Sequence, residues 1–69
     1  MPAVESRAIR SVDYDAESRT LFVRFRESGE LYAYLEVPAT EYDAFLAAES
    51  KGRFFAERVR PVYRFHHLG

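Results

Sequence analysis

Between Gly29 and Pro38 the chain reads GELYAYLEVP, an alternation that points Leu31, Ala33, Leu35 and Val37 to one side and Glu30, Tyr32, Tyr34 and Glu36 to the other. A period of two predicts a β-strand. The same period runs through TLFVRF, with Leu21, Val23 and Phe25 on one side and Phe22, Arg24 and Arg26 on the other. Upstream, AIRSVDYD is a short β-rich run closed by the polar turn DAES, and ESGE separates the second strand from the third. Pro38 stops the third strand, because it fixes its own φ and has no amide to give to a ladder.

Beyond Pro38 the period lengthens to that of a helix. Tyr42, Phe45, Leu46 and Glu49 recur at helical spacing. Thr40 is placed to cap the first turn, and Glu41 and Asp43 suit the positive end of the dipole. SKG interrupts this helix, and Ser50 is the expected cap of a second, KGRFFAERVR, which Pro61 ends. The tail VYRFHHLG alternates again over Val62 to Phe65, as an extended segment returning to the sheet or as a loose end. The expected fold is α+β: a three-stranded antiparallel meander followed by two helices on one face, in the order β-β-β-α-α. It forms one domain over residues 1–69, with loose ends at about 1–5 and 66–69.

Which face carries the helices is a matter of register. A two-residue turn at Ser28-Gly29 sets Glu27 opposite Glu30, Phe25 opposite Tyr32 and Val23 opposite Tyr34. The tyrosines then join the apolar side, and Arg24, Arg26, Leu31, Ala33 and Leu35 face outward. A loop one residue longer or shorter reverses every one of these assignments.

Sixty-nine residues, 48% of them hydrophobic and eleven of them aromatic, make one small core. At ordinary per-residue stabilities that core is worth about 3–10 kcal/mol, so each aromatic is first a packing residue. With no cysteine, disulfides and thiolate metal sites are excluded. The start, MPAVESRAIR, has no apolar run behind basic residues, and no segment approaches the length of a membrane span, which predicts a soluble cytoplasmic protein without a membrane partner. The net charge of −1 conceals a division: residues 1–50 sum to −5, whereas 51–69 carry Lys51, Arg53, Arg58, Arg60 and Arg64 against Glu57 alone. Such a basic end is either a solvated helix face or an anion-binding surface.

YDAESRTLFVRF, LYAYLEVP and ESKGRFFAERVRPVYRF, taken in order, resemble the KTSC domain, which is named for the C-terminal region of some lysyl-tRNA synthetases and is found also as a free-standing small bacterial protein. The likeness runs from about Ser6 to Phe65. Its Tyr-x-Tyr motif falls on Tyr32 and Tyr34, its Val-Pro helix entry on Val37 and Pro38, and its Ser-Lys-Gly and aromatic signature on Ser50, Lys51, Gly52 and Phe55, with Arg60 and Tyr63 following. The hairpin RESGELY is one residue longer than is usual for the family. The resemblance implies no established activity; RNA binding, with tRNA as the candidate, is what the synthetase context suggests.

Catalytic chemistry has little to stand on. His66 and His67 are adjacent near the chain's end, without a third ligand for a metal or a carboxylate at a recognisable spacing. Asp13 and Asp15 flank a turn, and the three glycines are too scattered to cradle a phosphate. No catalytic residue, metal or cofactor is expected. Two readings remain. In the first, a weak RNA-binding accessory module, Lys51, Arg53, Arg58, Arg60 and Arg64 meet phosphates while Tyr63, Phe65 or the histidines stack on a base. In the second, the outer sheet face of Phe22, Leu31, Ala33 and Leu35 among Arg24 and Arg26 serves a homodimer or a protein partner.

Overall fold

The computed structural model describes residues 7–69, so the expected loose end at about 1–5 lies outside the described residues. Four strands, β1 (Ile9–Asp15), β2 (Thr20–Phe25), β3 (Leu31–Tyr34) and β4 (Phe65–His67), form one antiparallel sheet in the order β1-β2-β3-β4. Two helices, α1 (Ala39–Ala47) and α2 (Lys51–Phe54), follow β3, and a π-helical turn, Phe55–Val59, continues α2. The class is the expected α+β, but the meander has a fourth strand. The tail expected to be loose at 66–69 is paired: His66 lies opposite Ala33, and the Leu31 amide donates to the Gly69 carbonyl at 3.0 Å. Those unsatisfied groups along the outer edge of β3 are what draw the tail in.

The hairpin register departs from the expected one by two residues. Val23 pairs with Tyr32 and Leu21 with Tyr34. A two-residue turn of the favoured kind would hold Ser28 as well as Gly29 at positive φ. Instead Gly29 alone takes that conformation, at +71°, and its amide donates to the Phe25 carbonyl at 3.0 Å, closing the longer loop 26–29. A slip of two residues keeps every side chain on its face, so the tyrosines do join Leu21, Val23 and Phe25 beneath the helices.

A bulge between Ile9 and Ser11 brings Ile9 and Val12 to the same side despite their odd spacing, and both are fully buried. They complete a core with Leu21, Val23, Tyr34, Val37, Phe45, Phe55 and Val59. Leu46, one of the residues at helical spacing, is 40% exposed, because the short α1 turns only Phe45 fully inward. Thr40 does not cap α1; the capping position is Pro38, whose carbonyl accepts from the Glu41 and Tyr42 amides, leaving Thr40 within the first turn. Ser50 does cap α2, accepting the Arg53 amide at 3.2 Å.

Candidate functional site

The residues expected to form one basic surface are dispersed. Lys51 donates its Nζ to the Ala48 carbonyl at 2.7 Å, tying the end of α1. Arg53 meets Glu57 four residues on at 3.3 Å, an exposed helical pair. Arg58 reaches Glu41 on α1 at 3.0 Å and lies over the Phe54 ring, 5.0 Å from its centroid. Tyr63 approaches the same Glu41 carboxylate at 3.5 Å, and Arg64 takes the Leu35 amide on its main-chain carbonyl. Two of these arginines thus hold carboxylates of their own chain, which leaves less charge available to a polyanion.

Arg60 has a different setting. The π-helical turn, in which its amide donates to the Phe55 carbonyl five residues back at 2.9 Å, carries the side chain toward the sheet. There the guanidinium lies over the Phe55 ring, 5.1 Å from its centroid, and lines the same cleft as Tyr34. This cleft, of about 530 Å³, lies between the start of β1, the hairpin loop and β4. Arg7 also lines it, as do Glu27, Ser28 and Glu30 from the hairpin.

Aromatic rings make the remainder of the cleft. Phe25, Tyr32, Tyr34 and Phe65 line it, with Phe25 edge-on to Tyr32 at 5.4 Å and Tyr34 tilted against Phe65 at 5.6 Å. Phe65 lines the cleft while 51% exposed. Burial pushes the Tyr34 hydroxyl above its ordinary range, with Arg60 partly opposing. The Tyr32 hydroxyl is pushed up as well, first by desolvation and then by Glu30. Behind Tyr32 the His67 ring stacks at 4.6 Å, and its Nε2 meets Glu30 at 2.7 Å.

Of the structural positions singled out in the sequence, Tyr34 and Phe55 are core and Tyr32 is cleft wall; Pro38 heads α1 and Gly52 lies in the first turn of α2. Arg7, Glu27, Ser28 and Glu30 carry no sequence signal, since only the closure of the hairpin against β4 and the helical end brings them together. Among the described residues no cluster of three or more metal-ligating side chains occurs, and no helix is long and apolar enough to cross a membrane. Chemically, the cleft offers planar apolar surface, two guanidiniums for an anion and two carboxylates for hydrogen-bond donors.

The model of the KTSC domain matches residues 5–63. A protein of Tsukamurella paurometabola is 45% identical over 64 residues, covering 93% of this chain and 94% of its own length. A lysine–tRNA ligase of Nostoc punctiforme is 30% identical over 64 residues, which span 93% of this chain but 11% of the ligase. The crystal structure of a KTSC domain protein from Yersinia pestis superposes with a TM-score of 0.93 at 38% identity, covering 99% of this chain and 94% of that one.

Proposed function

This chain belongs to the KTSC domain family, and on that premise we propose that it is a small non-catalytic module that binds RNA weakly, holding one unpaired nucleotide in the aromatic cleft. The observation that carries this reading is the setting of Arg60, a cation poised over Phe55 at the mouth of a ring-lined cleft of about 530 Å³, a volume in the range that suits a nucleotide-sized ligand. Bases stack on aromatic faces irrespective of sequence, and guanidiniums hold the flanking phosphates. The lysine–tRNA ligase relatives favour RNA as the polyanion.

A chemical-shift titration with a short single-stranded RNA tests this reading. Shifts are expected at Phe25, Tyr32, Arg60 and Phe65. With two phosphates neutralised by Arg7 and Arg60, affinity should fall with a log–log salt slope of about −1.4. Arg60→Glu should remove binding without unfolding the chain, since its side chain is exposed. The outer sheet face is the weaker candidate: Ala33 is buried and Phe22, Leu31 and Leu35 are half-buried, leaving little open apolar surface there. Shifts on that face with rising protein concentration, and none with RNA, would move the assignment to a homodimer.

A further inference from the structure

A cleft that only gripped phosphates would not be expected to carry carboxylates in its lining, yet Glu27 and Glu30 line it together with Arg7 and Arg60. Each carboxylate repels a phosphate unless the ligand gives it a hydrogen bond in return. Glu30 is the better placed to receive one. It sits two residues before Tyr32, and its carboxylate is held: the Tyr32 hydroxyl donates to Oε2 at 3.3 Å and His67 Nε2 meets the same oxygen at 2.7 Å. That pair does not use the second oxygen, Oε1, and the side chain is 40% exposed, so a ligand in the cleft has access to a fixed acceptor.

In a nucleotide whose base rests on the aromatic wall and whose phosphate meets Arg60, the sugar lies between them, and its hydroxyls are the donors nearest a carboxylate at the ring's edge. From this placement we infer that Glu30 is a specificity-determining residue that accepts the ribose 2′-hydroxyl, making the cleft selective for RNA over DNA. The inference rests on the RNA-binding reading of the cleft and adds the sugar to it. Its physical basis is the strength of a hydrogen bond to an ionised acceptor, set against the repulsion that the same carboxylate exerts when the hydroxyl is missing. His67 and Tyr32 act as positioning residues, fixing the carboxylate before the ligand arrives.

The test compares three strands of one sequence, RNA, DNA and 2′-O-methyl RNA, titrated into the full chain and followed by chemical shift. The expected result is roughly tenfold tighter binding of RNA than of either other strand, as one charged hydrogen bond supplies. In Glu30→Ala the preference should vanish by two opposite movements: RNA weakens while DNA binds as well or better, because a repelling charge has gone. A merely structural role for Glu30 would weaken both strands together. Glu30→Gln, which keeps an acceptor without the charge, should retain part of the preference. Equal affinity of the unaltered chain for RNA and DNA, with shifts at the same cleft residues, would overturn the inference while leaving a nucleic-acid cleft in place. No response to any strand would overturn both, and a preference that survives in Glu30→Ala would remove Glu30 from the assignment.

Discussion

Tyr32 and Tyr34 stand two residues apart on β3 with their rings 6.4 Å apart and inclined by 23°, yet they do different work: Tyr34 is 2% exposed in the core, and Tyr32 is half-buried at the cleft. Tyr34 packs edge-on against Phe55 at 5.2 Å, opposite Leu21 in the neighbouring strand. Tyr34→Ala should therefore cost about 3–5 kcal/mol, the range for deleting a buried aromatic. Tyr32→Ala should cost roughly 1–2 kcal/mol, because only part of its ring leaves water on folding. Urea denaturation of the two variants measures the gap, and equal losses would contradict this division of roles.

Alkaline unfolding follows from the tyrosines. Burial is the first cause raising the hydroxyls of Tyr32, Tyr34, Tyr42 and Tyr63 above their ordinary value of 10.0. In the unfolded chain these groups ionise first, so above pH 10 the unfolded state binds fewer protons than the native one, and stability must fall as pH rises. Below that pH the four contribute a constant increment. Ultraviolet titration of tyrosinate should show ionisation of the native chain lagging that of the chain in urea, with stability declining over the same interval.

The contact between Arg58 and Glu41 joins the helical end to α1, and it is asymmetric: the Glu41 side chain is 15% exposed, the Arg58 side chain 58%. Arg58→Ala strips the carboxylate of its cation and Phe54 of its covering guanidinium. A loss of about 1–2 kcal/mol is expected, above the value of an ordinary surface pair because Glu41 stays largely desolvated. Arg53→Ala breaks only the exposed pair with Glu57 and should cost no more than about 0.5 kcal/mol. Thermal unfolding of the two variants distinguishes them.

Elements with a local cause were legible in the sequence. Alternation located β2 and β3, Ser50 marked the start of α2, and the parity of the hairpin put Tyr34 beside Leu21 and Val23. What escaped depends on distant partners. Gly29 can close a loop of two or of four residues, and the choice is made by its amide meeting Phe25 rather than by composition. The strand nature of Phe65–His67 exists only because the edge of β3 is there to pair with it. For the site, Arg53, Arg58 and Arg60 gave this end of the chain its positive charge, but which carboxylates hold two of them, Glu57 and Glu41, depended on how the helical end meets α1. The carboxylates lining the cleft come from a hairpin whose loop length had to be known first.

The π-helical turn at Phe55–Val59 carries a consequence for insertions and deletions. A turn with five-residue spacing holds one residue more than the α-helical turn it replaces, and such turns concentrate at functional positions. Removing exposed Ala56 would let the turn close in the ordinary way with the Arg60 amide still meeting the Phe55 carbonyl, whereas a second residue added there has no such outlet, and since each residue rotates a helix by about 100°, everything after it would change phase by that angle. Val59 would leave the core and Arg60 would swing away from Tyr34. In a lineage of such domains, helix length at this point is therefore not free to grow, because a single further codon would unhook the arginine from the cleft while leaving every residue type in place.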